Sequence, residues 1–335
     1  MSPVFIDFLG KGGNEIHKCG GLRGSALSLV YQRWEAVFRR ERMPVSIDRI
    51  RRFQIYLKEK NHMLKNMLEN VRKNCPLIHN ITNYVTVNDC ANILIACGAA
   101  PIMADDQDEV AEITSICSGL NINIGTLNNR TIESMLIAGK HANELNHPVV
   151  LDPVGAGASK LRTETALELL EKLRFSVIRG NISEIKTLAS GSGTTKGVDA
   201  DVADKVTDEN LDEVVAFAKA FSRKTGAVIA ITGAIDIVAN SQNAYCIRNG
   251  HPMMSSITGT GCQLSAMTAA YVTANPDHPL EAAAAAVIAM GYAGELAHSR
   301  LTDLDGNSTY RNYIIDAIYN MTPEKLERGA NYEVR

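Results

Sequence analysis

The sequence predicts an α/β fold, a mostly parallel central sheet with helices on both faces. Two observations carry this. From about Cys75 onward, short β-branched apolar runs alternate with segments of helical period. Polar residues also stand at the end of one run after another, where an open parallel sheet exposes its carboxyl edge. No repeat of 20–50 residues is visible, which excludes a solenoid.

The elements follow in order. LNINIGTL (120–127) reads as a strand ending in Gly-Thr, and TIESMLIAGKHANEL (131–145) as the helix after it. PVVLDPVGAGA (148–158) is a β-branched run closed by Asp-Pro and glycines. In the following TETALELLEKL (163–173), Ala166, Leu169, Leu170 and Leu173 recur at i, i+3, i+4 and i+7, one face of a helix. FSVIRGN (175–181) is the next strand and SEIKTLA (183–189) begins the next helix. LDEVVAFAKAFSRKTG (211–226) is amphipathic and stops at Gly226, leading into the strand AVIAITG (227–233). IDIVANSQNAYCIRNG (235–250) breaks the rhythm and predicts an antiparallel hairpin at the sheet edge. GTGCQLSAMTAAYVTA (259–274) opens a glycine-led helix, and the Ala-rich stretch 281–297 supplies another.

Composition sets the class. The chain has 335 residues, 45% hydrophobic and 21% charged, with a formal charge of −3. That balance excludes a disordered chain and offers no global attraction to nucleic acid or to an anionic membrane. Seven cysteines with no CxxC suggest neither a disulfide framework nor a zinc ribbon. No HExxH occurs, and no run reaches the ~18 apolar residues of a membrane span. No signal peptide opens at Met1, so the acceptor-like triplets at Asn80 and Asn181 are not expected to be glycosylated. The expectation is a reduced, soluble, cytoplasmic protein.

The average charge hides an asymmetry. Residues 1–74 carry 15 Lys/Arg against 7 Asp/Glu, a net of +8, which leaves −11 for the rest. RRERM (39–43) and RIRR (49–52) stand close together there, near the single tryptophan, Trp34. A basic arm for nucleic acid or a partner is one reading. An accessory or poorly ordered extension is the plainer one and is preferred, because composition alone supports the first. Met63 as the natural start is a third. The expected organisation is a basic extension over 1–62 and an enzyme domain over 63–335.

Candidate chemistry gathers at the strand ends. Asp152 follows VVL, Arg179 follows VI and Thr232 follows VIAI. One such residue is ordinarily a cap or turn residue; three in succession, with both charges present, indicate a site. There is no GxxxxGK[ST], and GSGTTKG (191–197) lacks dinucleotide-fingerprint spacing and reads as a loop. TGTGC (258–262) before an apolar helix lets backbone N–H groups close around an anion. Arg179 can bind phosphate, and Asp152 and Glu184 can hold Mg²⁺ directly or through water. Together these suit transfer of a γ-phosphoryl group.

HNITNYV (79–85), PIMA (101–104), NIGTL (123–127), LDPVGAGA (151–158), RGNISEI (179–185), KGVDA (196–200), ITGAIDIV (231–238) and TGTGC occur in that order. In this the chain resembles the hydroxyethylthiazole kinases of thiamine salvage, from about Cys75 to the C-terminal region. The resemblance implies a ribokinase-like fold and Mg²⁺-dependent phosphorylation of 4-methyl-5-(2-hydroxyethyl)thiazole by ATP. It also implies a homotrimer with substrate sites between subunits. On matching positions, Arg179 and Thr232 contact ATP, while Met103 and Gly259 touch the thiazole alcohol. Gly259, Thr260 and Gly261 form the anion hole, Asp152 and Glu184 serve the metal, and Cys262 stands where ribokinases usually place an aspartate base. GNSTY (306–310) matches the family only loosely and receives no role.

Plainer roles exist for each residue. Met103 suits a core, Asp152 a turn before Pro153, and Cys262 a small helix position. Glu184 three residues after Asn181 fits a helix-capping pair, compatible with holding a metal. His79 and the other histidines read as ordinary residues. Two rival functions are another ribokinase-like kinase, such as one for hydroxymethylpyrimidine, and a catalytically silent thiazole-binding protein. The first usually has Asp at the position of Cys262 and fits PIMA and HNITN poorly.

Overall fold

The computed structural model describes residues 63–191 and 205–335. The basic extension, residues 192–197 of GSGTTKG and the KGVDA motif lie outside them. Residues 63–332 form one compact unit. It opens with helix α1, described over 63–74. There follow β1 (Leu77–Ile81), α2 (Val87–Cys97), β2 (Ala100–Met103), α3 (Val110–Ile116), β3 (Gly119–Asn123), α4 (Asn129–Glu144) and β4 (Val149–Asp152). Then come α5 (Lys160–Lys172), β5 (Val177–Asn181), α6 (Ile182–Gly191), α7 (Leu211–Thr225), β6 (Val228–Thr232), β7 (Asp236–Ala239) and β8 (Ala244–Ile247). A 3₁₀ turn (Pro252–Ser256) leads to α8 (Thr260–Ala274), α9 (Pro279–His298), α10 (Asn307–Tyr319) and α11 (Pro323–Gly329).

Within this unit the strand order is β2-β1-β3-β4-β5-β6-β7-β8. The pairs from β2 to β6 are parallel, and β6-β7 and β7-β8 are antiparallel, as expected for the hairpin. Central strands covered on both faces must be apolar throughout. Val149, Val150, Leu151, Ile178, Ile229 and Ile231 are accordingly wholly buried.

One face carries α3 to α7. There Ile185 and Leu188 of α6 and Val214, Ala218 and Phe221 of α7 join Leu151, Ile178 and Ile231 in one core. A buried side chain of this size contributes roughly 1.5–3 kcal/mol relative to an exposed one. α2, α8, α9 and α10 cover the other face. The Ala-rich α9 is the one helix among the described residues long and apolar enough to cross a membrane, and 78% of its apolar window is buried in the protein.

Two strands preceding the first assigned one, β1 and β2, lack a clean period in the sequence, since β1 places His79 and Asn80 in the interior. Arg179 also differs from its expected place. It lies inside β5, paired with Ala230, whereas Asp152 and Thr232 close their strands. Gly191, expected in a loop, is the last residue of α6.

Candidate active site

The chain leaves β1 on the α2 face and β3 on the α4 face, so the loops at their carboxyl ends diverge and open a crevice. A cleft of about 310 Å³ sits at this switch in strand order. Its walls are Asn83, Val85 and Thr86 after β1, Gly125 after β3, Asp152 and Val154 around the end of β4, and Arg179, Asn181 and Glu184. Thr258, Gly259, Gly261 and Cys262 close it at the start of α8.

Asp152 is fully buried at the floor. Its Oδ2 accepts hydrogen bonds from Asn123 Nδ2 (2.7 Å) and Ser265 Oγ (2.8 Å). Its Oδ1 lies 3.6 Å from Arg179 Nη1 and accepts no hydrogen bond. Burial pushes the carboxyl up to about 6, against the opposing pull of Arg179. A buried oxygen with spare lone pairs, on a cleft wall, is a place for a cation or a water.

Arg179 is held by its neighbours. Nη2 donates to Thr232 Oγ1 at 2.6 Å, and the side chain is only 12% exposed. Thr232 is not on the cleft wall; it reaches the cleft through Arg179. Gly261 has no side chain because there is no room for one: a Cβ would stand 2.5 Å from Arg179 Nη1. The first N–H groups of α8, which lack helical partners, therefore lie against a guanidinium, and both favour an anion.

Glu184 is doubly occupied. Oε2 accepts from Asn181 N and Oε1 from Gly155 N, both at 2.8 Å. Asn181 Oδ1 accepts in turn from Glu184 N at 2.8 Å. The capping pair read from the sequence is a reciprocal capping box at the start of α6. It leaves the carboxylate with free lone pairs but no free oxygen.

Gly259 caps α8 with φ +87°, where a side chain would be strained and would overlap the methyl of Thr86. Cys262 Sγ accepts from Asn83 Nδ2 at 3.2 Å. Burial first, and then the charge of Asp152, push its thiol up; bonds from Thr86, Asn83 and Asn123 act the other way. The group is a thiol at neutral pH.

Residues without a role in the sequence reading are Asn83 and Thr86 on the cleft wall and the buried Asn123 and Ser265 bonded to Asp152. Asn123 Oδ1 accepts from Asn83 Nδ2 (3.0 Å) while its amide donates to Asp152, so two asparagines connect Asp152 to Cys262. The available signal was polar residues at the ends of two apolar runs, in HNITN and NINIG. Met103 lies elsewhere, half-buried at the carboxyl end of β2 and off the cleft wall. His79 is a core residue, bonded to Ala104 O (2.9 Å) and Thr114 Oγ1 (3.0 Å), with burial lowering its affinity for a proton. The six described cysteines are free thiols.

A glycine-led helix start, an arginine and a buried carboxylate meet in one cleft, and comparison with known proteins gives the family. The model of the hydroxyethylthiazole kinase family matches residues 68–324. The chain belongs to that family. It is a phosphotransferase acting on an alcohol. The hydroxyethylthiazole kinase of Clostridium acetobutylicum is 72% identical over 271 residues, covering 81% of this chain and 99% of the relative. That of Clostridium tetani is 49% identical over 280 residues, 83% of this chain and 99% of its own. The solved hydroxyethylthiazole kinase protein from Pyrococcus horikoshii shares 33% identity with a TM-score of 0.72, covering 81% of this chain and 98% of that one. A ribokinase-like superfamily protein from Enterococcus faecalis, at 12% identity and TM-score 0.53, shares the fold alone.

Proposed function

We propose that the enzyme transfers the γ-phosphoryl group of ATP to the hydroxyl of 4-methyl-5-(2-hydroxyethyl)thiazole, with Mg²⁺, in the cytoplasm. The observation that carries this is the meeting of the α8 start, Arg179 and the unpartnered Oδ1 of Asp152 in one cleft. Asp152 suits Mg²⁺, a hard cation that takes one or two carboxylates and keeps several waters. Glu184, both oxygens already accepting N–H groups, would contribute through a water. When bound, the ion would neutralise charge on the phosphates. Arg179, braced by Thr232, binds phosphate oxygens as a fork of donors. The N–H groups at Gly259, Thr260 and Gly261 stabilise the charge that develops on the transferred group. The minor thiolate form of Cys262 takes the proton of the substrate hydroxyl late in a loose transition state, and burial keeps that form scarce.

A homotrimer with sites between subunits follows from the family resemblance; Met103, at the carboxyl end of β2 and off the cleft wall, would then serve the site of a neighbouring copy. Gly259 would touch the alcohol from this chain.

The test is ADP release and ³¹P detection of a phosphate ester, with the thiazole alcohol and with hydroxymethylpyrimidine, each with and without Mg²⁺. Turnover of the thiazole that requires Mg²⁺ is expected. Preference for the pyrimidine would move the substrate assignment, and tight thiazole binding without turnover of either would leave a silent binding protein.

A further inference from the structure

Ten residues beyond Asp152, in the same run of sequence, Arg162 occupies the first turn of α5. A positive charge there opposes the helix dipole, so local energetics do not explain it. No carboxylate pairs with it in an ion pair among the described residues. Its guanidinium instead grips two backbone carbonyls. Nη2 donates to Gly125 O at 2.6 Å and Nη1 to Val154 O at 3.1 Å. Gly125 and Val154 both line the cleft, on loops from different strands.

What lies beyond those carbonyls gives the grip its meaning. The Val154 carbonyl and the Gly155 N–H belong to one peptide unit. Arg162 holds its oxygen, and its N–H donates to Glu184 Oε1. A guanidinium on the carbonyl polarises the unit and strengthens the N–H as a donor. On the other loop, Gly125 N donates to Asn123 Oδ1 at 2.9 Å, and Asn123 Nδ2 donates to Asp152. Each loop thus connects Arg162 to one acidic residue. Gly155 has φ +74°, and a Cβ there would overlap Arg162 Nη1, so the glycine is what lets the guanidinium close on the turn.

We propose that Arg162 is a positioning residue for phosphoryl transfer, a clamp behind the cleft wall that orients Glu184 through the Val154–Gly155 peptide and Asp152 through Gly125 and Asn123. This rests on the reading of Asp152 and Glu184 as the metal-holding pair. Lysine, with one compact ammonium in place of a planar fork, cannot hold both carbonyls in this geometry.

The experiment uses the full chain with Arg162→Ala and Arg162→Lys. Three quantities are read: the Mg²⁺ concentration for half-maximal rate, the KM for the thiazole alcohol, and Mg²⁺-dependent binding of a non-hydrolysable ATP analogue by calorimetry. Loss of partners that orient metal ligands typically costs 10–100-fold in metal affinity, so the Mg²⁺ requirement of Arg162→Ala should rise at least ~10-fold and the Mg²⁺-dependent part of analogue binding should weaken alike. The thiazole KM should stay within about twofold, since binding of the alcohol at Gly259 is untouched. Added guanidinium chloride at millimolar concentration should restore part of the rate of Arg162→Ala, and Arg162→Lys should fall between the two. An unshifted Mg²⁺ requirement, in a wild type that needs Mg²⁺, would overturn the clamp alone. A wild type indifferent to Mg²⁺ would overturn both the clamp and the metal reading. If Arg162→Ala does not fold, Arg162→Lys decides by the same calorimetric readout.

Discussion

At the scale of single residues, the cleft sets two proton affinities in the same direction for one shared reason, burial. Cys262 is the less secure base, since its neighbour Asp152 and any bound phosphate both disfavour the thiolate. General-base assistance is typically worth ~10²–10⁴-fold, so Cys262→Ala should lower kcat within that range without abolishing it, with the thiazole KM nearly unchanged. Cys262→Asp should remain active and gain rate at lower pH; a dead Asp variant beside a fully active Ala variant would make Cys262 a packing residue. Asp152 gives a pH signature. Its carboxyl sits at about 6 in the folded protein, and the ionised form is the one that can hold a cation. kcat/KM should therefore fall below a midpoint near pH 6, and tenfold more Mg²⁺ should move that midpoint down. Asp236, pushed up to about 7 by burial, is the other candidate for such a limb, so its persistence in Asp236→Asn would assign it to Asp152. The sign for stability is opposite. Because the folded state holds this proton more tightly than the unfolded chain, stability is lost as pH rises from about 4 to 6. The Tm of Asp152→Asn minus that of the ligand-free wild type should accordingly grow over that window.

At the scale of elements, the start of α8 separates two kinds of glycine. Gly259 has a positive φ and abuts Thr86, so Gly259→Ala should cost ~1–3 kcal/mol of stability and lower Tm. Gly261 lies inside the helix, where Ala is favoured over Gly by up to ~1 kcal/mol. Its obstacle is the Arg179 guanidinium, so Gly261→Ala should raise the KM for ATP ~10-fold, about 1.4 kcal/mol, with a smaller loss of Tm than Gly259→Ala because the helix preference for Ala offsets part of the displacement. A raised Tm with an unchanged KM for ATP would mean that the arginine does not use the space Gly261 leaves. Glu184 joins elements in the same way. Glu184→Gln keeps one acceptor for the two N–H groups at Asn181 and Gly155, so about 1 kcal/mol of stability should be lost. High Mg²⁺ should return part of its activity; an unfolded Glu184→Gln protein would make capping its main task.

At the scale of the whole molecule, the compact unit 63–332 contains every described site residue, and the family match spans 68–324. A protein starting at Met63 should fold, assemble and phosphorylate the thiazole alcohol as the full chain does, measured by gel filtration and kcat. Loss of the soluble oligomer on truncation would give residues 1–62 a structural task. The α/β class, the hairpin and the helix after TGTGC were legible in the sequence because each is a local pattern, a period of 2 or 3.6 or a glycine before an apolar run. Asp152 was legible too, as the last residue of a strand whose carboxyl end meets the others at one edge. Arg179 and Glu184 reach the same cleft from inside β5 and from the first turn of α6. Thr232 was legible as an end residue but not as the brace of Arg179. The roles of Asn83, Asn123, Ser265 and Arg162 were decided only by the tertiary structure. Apart from the Arg162–Val154 bond, which spans 8 positions, the bonds that define these roles reach across 29 to 179 positions of sequence, as the Asn123–Asp152 and Asn83–Cys262 bonds do. No period records such a pairing: a hydrogen bond between distant loops depends on strand order and loop divergence, and those are settled only when the sheet is assembled.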